Sequence, residues 1–496
     1  MATLAGLLTF LVDIQVREPG LKKLGLLFLV LCAVVWVLRR HAHRIVSLMM
    51  ATVVFSLVIL PPRSEAVTSA DSSTARPAAS EHRDLPLVLH LLVDEFIGTE
   101  GLPTDLTPPG FKQQLESFFT ERGFRLFGNA YSEYPITKWS VPHLLNLAPG
   151  GYIADLTAAG PSEGTFRLTR NAYFERLVSM GYAIQAHQLD YMYVCPDGLP
   201  ALCRSYATGS LDVLNGLEVS LDTKVRVLGG TFLGQSEAYT RAKERYRTTR
   251  RRLAGKVSLP AWNWERSTPA SAGSMPMFDA VAKDLSKAQR GTFVFAHVLM
   301  PHHPYVFDAN CQQRPQEEWL WRNDTERGDI PGGIMNVPDG RARRYAFYFQ
   351  QIACTKKKID KLLEAIPSPL RRDAIIIIQG DHGSRIALVD PTTSAKVSPA
   401  VSDFADAFST MFAVRSPSIA AGSDLRTTPI TCLLRTLVEN GFQSTAGIDS
   451  CSSPNTVFFM AGGKPPAPRP LPAFSTTAAP VTGHHAGRAT STAKSQ

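Results

Sequence analysis

Residues 375–385, IIIIQGDHGSR, decide how this chain folds. Four consecutive isoleucines, Ile375 to Ile378, make a short unbroken apolar run. Such a run suits a parallel strand covered on both faces. Asp381 and His382 follow at once, flanked by Gly380 and Gly383. A turn alone would account for the glycines and the aspartate through backbone preference. The position has a second meaning, because open α/β sheets hold ligands just past the carboxyl ends of their strands. A carboxylate beside an imidazole is also a good pair of divalent-metal ligands.

Three other segments repeat the pattern. LPLVLHLLVDEF, residues 85–96, is an apolar run ending in Asp94 and Glu95. FVFAHVLMPHHPY, residues 293–305, carries His297 inside a strand-like run and His302 and His303 after it. YPITKWSVPHLLN, residues 134–146, places Thr137, Lys138 and Ser140 near a helix start, where a hydroxyl ordinarily serves as a cap. One such strand end would mean little. Four of them, supplying carboxylates, hydroxyls and imidazoles, point to a single convergent site.

Strands expected at 87–93, 183–187, 292–299, 375–378 and 410–414 alternate with helices expected at 111–122, 173–180, within 341–366 and at 429–440. That alternation predicts an α/β sandwich around a largely parallel sheet. The chain has 496 residues, 44% of them hydrophobic and 19% charged, which describes a folded protein. Its net charge of +9 is spread along the chain with no nucleic-acid-binding signature, so no nucleic-acid partner is expected. The densest basic stretch, Arg241 to Arg252, reads as a solvated helix face.

The organisation expected is a membrane anchor at 1–62, a linker at 63–84, a catalytic domain at 85–462 and a disordered tail at 463–496. Leu24–Leu38 and Ile45–Leu60 are uncharged apolar runs, and Ala2–Val16 is a weaker third, interrupted by Asp13. Two or three transmembrane helices are therefore expected ahead of the domain. Arg39, Arg40 and Arg44 between the two strong runs predict a cytoplasmic loop, which places the domain outside the plasma (inner) membrane. Six of the seven cysteines lie beyond the anchor, consistent with an oxidising compartment. Neighbour pairing, 195 with 203, 311 with 354 and 432 with 451, is the arrangement expected of them. The linker is polar, and the tail is rich in Pro, Ala and Thr.

Taken in order, the four motifs resemble the alkaline-phosphatase superfamily, in its sulfatase-like branch that includes lipoteichoic-acid synthases and phosphoethanolamine transferases. TKWSVP (137–142) is similar to the T-x-x-S-x-P pattern of the transferases, PHHP (301–304) to PHxP, and the Asp-His-Gly at 381–383 to DHG. Residues 345–366 resemble the long family helix between the last two motifs. The resemblance implies a metal-dependent enzyme with Thr137 as nucleophile and Ser140 as the alternative. It implies one divalent ion (Mn, Zn or Mg) held by Glu95, Thr137, Asp381 and His382, with Asp94 in addition. His302 and His297 are the implied acids for the leaving group, and Lys138 and His303 the implied substrate contacts.

Two departures narrow the reading. Leu144 stands where a formylglycine sulfatase carries Arg, and no His occurs between Gly383 and Ala461, where the phosphoethanolamine transferases have a further one. The function expected is transfer of a phospho-alcohol group, of phosphoethanolamine or phosphoglycerol type, to an envelope glycan or membrane lipid. A phosphodiesterase or sulfuric-ester hydrolase on the same scaffold is the alternative, and a non-catalytic envelope protein the third reading. Oligomeric state is not legible in the sequence.

Overall fold

The computed structural model describes residues 6, 9, 13, 21–37, 84–148, 156–158, 166–206, 208, 211–234, 236–253, 257, 270–319, 336, 338–392, 398–447, 451, 455–459 and 467–474. Its centre is an eight-stranded sheet: β1 Val88–Val93, β2 Arg125–Phe127, β3 Ala183–Leu189, β4 Ala201–Tyr206, β5 Thr292–Val298, β6 Ile375–Gly380, β7 Phe412–Arg415 and β8 Gly422–Asp424. The spatial order is β8-β2-β7-β6-β1-β5-β3-β4. Only β7 runs against its neighbours, so the sheet is largely parallel, as expected.

The five strands legible in the sequence are the five contiguous central ones. Those missed, β2, β4 and β8, lie towards the edges. β2 and β8 have three residues each, and none of the three has the continuous apolar run of a doubly covered strand.

Helices cover both faces, because alternate residues of the central strands are apolar in both directions. Leu89, Leu91 and Val93 pack with Ile376 and Ile378 under the helices Phe111–Thr120, Ala270–Leu285 and Pro338–Ala365. Val88 and Leu92 pack with Phe293, Phe295, Ile375 and Ile377 under Thr137–Leu145, Ala172–Ser179 and Ile430–Glu439. The three disulfides join Cys195 to Cys203, Cys311 to Cys354 and Cys432 to Cys451, which is the neighbour pairing.

Two expectations meet differences. Leu21–Val37 is a 17-residue helix with Leu26, Leu29 and Trp36 exposed, but among the described residues no helix is long and apolar enough to cross a membrane. The run Ile45–Leu60 and the linker before Asp84 lie outside the described residues. Within the stretch expected to be a disordered tail, Ala467–Pro470 pairs antiparallel with Thr456–Phe459, and Leu471 and Phe474 are buried beside Phe408. Those two apolar side chains give the proline-rich segment something to bury.

Candidate active site

Strand register assembles the site. Val93, the last residue of β1, pairs with Gly380 on one side and Val298 on the other. The residues that follow, Asp94 and Asp381, therefore emerge side by side, and Leu92 pairs with His297. Continuing the alternation of each strand, Asp94, Asp381 and His297 fall on the face covered by the helix Thr137–Leu145.

Both glycines around Asp381 and His382 are there for space. A Cβ on Gly380 would run into the Thr410 hydroxyl and the Phe96 carbonyl, and one on Gly383 into the Asp406 carbonyl. Glu95 takes the left-handed backbone, φ 60, at a cost of about 1–3 kcal/mol for a side chain of its kind. Tyr348 holds that turn from the long helix. Its hydroxyl donates to the Glu95 carbonyl at 2.5 Å and accepts from the Ile97 amide at 3.0 Å.

Thr137 opens its helix with its hydroxyl inside the cluster, donating to Asp94 Oδ2 at 3.2 Å and lying 3.1 Å from His382 Nε2. His382 donates through Nδ1 to the Gly383 carbonyl at 2.9 Å, which turns its Nε2 towards Thr137 and Asp381 Oδ2, the latter 3.2 Å away. A ring nitrogen pinned to a carbonyl is the usual way of orienting a metal-binding imidazole. Asp381 Oδ1 accepts from the Glu95 amide at 3.1 Å and from the His382 amide at 2.9 Å. His302 Nε2 lies 3.5 Å from Glu95 Oε1.

Three carboxylates in so small a buried space repel one another. Burial and then the Asp381 carboxylate push Asp94 up to about 7, against the pull of His302 and His382. Burial would raise Asp381 too, but His382 and His297 outweigh it and hold that carboxyl below the usual range. Burial pushes His297 down to about 4.

The donor atoms fit a cation. Asp94 Oδ1, Glu95 Oε1, Asp381 Oδ2, both ring nitrogens of His297 and Nδ1 of His302 are buried without a hydrogen-bond partner among the described residues. Orphaned polar atoms of this kind cost about 1–3 kcal/mol each unless something satisfies them. Asp94, His297 and Asp381 bring ligand atoms within 4.8 Å of one another, as do Asp94, Glu95 and His302.

The structure thus brings together Asp94, Glu95, Thr137, Asp381, His382, His297 and His302, and it redistributes some expected roles. His297, expected as an acid for the leaving group, is neutral near pH 7 and sits among the carboxylates, which suits a ligand better than a proton donor. Ser140 neither caps the helix nor meets the cluster. The cap position is Ile136 with no side-chain bond, and the Ser140 hydroxyl is buried without a partner among the described residues. Lys138 rests its ammonium over the rings of Trp139 and Phe166, 4.9 and 4.7 Å from their centroids. His303 contributes its backbone amide, 3.3 Å from Glu95 Oε2, while its ring meets Tyr305 edge-on.

The motif reading missed Arg385, whose Nη1 lies 3.9 Å from Glu95 Oε1, and also Tyr348. Arg385 stood in plain view two residues past the Asp-His-Gly, whereas nothing local marks Tyr348.

Residues 231–400 match the family model described as Sulfatase. That stretch includes His297, the PHHP segment and the Asp-His-Gly, while Asp94, Glu95 and Thr137 precede it. No curated protein matches the chain in sequence. Among solved structures, the phosphonate monoester hydrolase of Agrobacterium radiobacter is 11% identical over 75% of this chain and 80% of that one, with TM-score 0.43. A protein in the alkaline phosphatase superfamily from Vibrio parahaemolyticus is 12% identical over 76% of this chain and 73% of that one, with TM-score 0.37. A 2-O GAG sulfatase is 15% identical over 72% and 71% respectively, with TM-score 0.42.

Proposed function

We propose that the protein is a membrane-anchored, metal-dependent enzyme that transfers a phospho-alcohol group to an envelope glycan or lipid by way of an ester on Thr137. The observation that carries this reading is the Thr137 hydroxyl, directed at Asp94 Oδ2 and His382 Nε2 among carboxylate oxygens buried without other partners among the described residues. A hydroxyl is a weak nucleophile unless its proton has somewhere to go. Asp94 Oδ2, 3.2 Å from the hydroxyl, is the group placed to receive it.

Attack by Thr137 Oγ1 forms the new O–P bond as the bond to the leaving alcohol breaks. The Thr137 proton passes to Asp94 Oδ2, and the leaving oxygen takes a proton from His302, which is one-fifth exposed and oriented by Glu95. In the second half an acceptor hydroxyl gives its proton to His302 and attacks the phospho-threonine, the bond to Thr137 Oγ1 breaks, and Thr137 takes its proton back from Asp94. Asp94, Glu95, Asp381, His297 and His382 would hold the divalent ion, which when bound would neutralise charge on the phosphoryl oxygens and lower the pKa of the hydroxyl. Water as acceptor would make the enzyme a phosphodiesterase, and a sulfate ester as donor would make it a sulfuric-ester hydrolase.

The test is turnover by metal-loaded full-length protein of a chromogenic phosphodiester against an aryl sulfate. Diester cleavage is expected, with a phospho-adduct on the peptide carrying Thr137. Cleavage of the sulfate alone would replace this reading with the sulfuric-ester one.

The domain is proposed to face outward across the plasma membrane. Three disulfides, and arginines between the apolar runs, support that topology. An alkaline-phosphatase reporter fused after Asp84 should be active, and a cytoplasm-only reporter there silent; the reverse pattern would refute the topology.

A further inference from the structure

Three arginines surround the loop that follows β6, and they are held in different ways. Arg341 is 5% exposed and grips Asp406 through Nε and Nη2 at 3.2 and 3.0 Å. Arg344 is 2% exposed, its Nη1 3.0 Å from Asn336 Oδ1. Both brace the loop, directly or through Asp406. Arg385 instead has its backbone fixed, and among the described residues no hydrogen bond holds its side chain. Its amide donates to the Asp406 carbonyl at 2.8 Å, its carbonyl lies 3.5 Å from Arg344 Nη1, and Ser384 before it is tied to the Tyr345 hydroxyl at 2.9 Å. The backbone at Arg385 is left-handed, φ 55, an uncommon state for a residue with a side chain.

What that anchoring presents is a guanidinium 30% exposed, 3.9 Å from Glu95 Oε1. A guanidinium paired for structure closes on a carboxylate at about 2.7–2.9 Å, commonly with two parallel bonds. This one stops short of a hydrogen bond, and among the described residues its planar fork of donors is open at the edge of the carboxylate cluster.

We infer that Arg385 is the anion-binding residue of this centre, its guanidinium receiving the non-bridging oxygens of a phosphoryl or sulfuryl group held over Thr137. The inference rests on the reading of the site as an ester-processing centre and adds the residue that selects esters anionic at the reacting group. An arginine is suited to this because its fork matches two oxygens of a tetrahedral anion, whereas a lysine offers a point charge. Lys138, with its ammonium over two rings, is not placed to substitute.

The test is calorimetric binding of inorganic phosphate, and separately of inorganic sulfate, to the metal-loaded full-length protein. Arg385→Ala should weaken binding about ten- to hundredfold, the range for loss of charge-assisted hydrogen bonds. Arg385→Lys, which keeps the charge and the same backbone strain, should fall between, and added guanidinium should restore binding to the alanine variant. Far-UV circular dichroism and melting temperature check that each variant is folded, and the lysine variant carries the comparison if the alanine one is not. The tighter of the two anions identifies the reacting group. Binding unchanged in both variants overturns the inference, and so does a wild-type protein that binds neither anion. If binding depends on Arg385 but no ester is turned over, the anion site stands and the proposed reaction falls. If turnover proceeds with no dependence on Arg385, the reverse holds.

Discussion

Replacing Thr137 by alanine is expected to lower turnover by about three orders of magnitude or more, because loss of a nucleophile acts on the transition state itself. The fold should survive. Thr137 is 4% exposed and its hydroxyl bonds only within the carboxylate cluster, so removing it leaves the backbone of its helix untouched. Thr137→Ser keeps an attacking oxygen in the same place and should retain part of the activity. Ser140→Ala is the control. Its hydroxyl is buried without a partner among the described residues and caps nothing, so the change should be near neutral in stability rather than costing the ~1 kcal/mol of a lost cap. Intact-protein mass spectrometry after a single turnover should find the adduct in wild type and in Ser140→Ala, and none in Thr137→Ala. An adduct that persists in Thr137→Ala and disappears in Ser140→Ala would transfer the role to the serine.

Removal of a ligand carboxylate should have the second large effect. Asp381→Asn is expected to abolish tight metal binding and to lower turnover ~10³-fold, since a metal's share of phosphoryl-transfer catalysis is several kcal/mol. The same substitution should also cost the metal-free protein stability near pH 7, because the native site holds that carboxyl below its ordinary range and so favours its ionised form. Asp94 gives this a pH signature. Its folded pKa, about 7, lies above its ordinary value of 3.8, so the native state holds the extra proton between those limits. The stability this contributes is full below 3.8 and is lost progressively as pH rises towards 7. Metal-free wild type should thus gain more from added metal at about pH 7.5 than at about pH 5. Saturation at about a hundred times Kd contributes ~2.7 kcal/mol through binding to the native state alone. Elemental analysis and thermal unfolding with and without metal read both effects. An Asp381→Asn variant with full metal content and an unchanged metal-induced rise in melting temperature would remove Asp381 from the site.

Much of this architecture is local and was therefore open to reading in one dimension. A buried parallel strand must be apolar on both faces, so Ile375–Ile378, Leu87–Val93 and Phe293–Val298 announce themselves, and the five strands so marked are the centre of the sheet. Asp94, Glu95, Asp381 and His382 are legible for the same reason, as the polar residues that end those runs. The pairing of cysteines with near neighbours also needed nothing from afar. What the tertiary structure alone decided is which of these groups meet, and in what state. Register between β1, β5 and β6 sets Asp94 against Asp381 and His297, across separations of about 290 and 200 residues along the chain. Burial then lowers His297, and burial together with repulsion from Asp381 raises Asp94. Tyr348 shapes the Glu95 turn from a distant helix, and Arg341 and Arg344 brace the loop that carries Arg385. Electrostatic fields and steric closure act through space, whereas periodicity acts along the chain, and a sequence displays only the second.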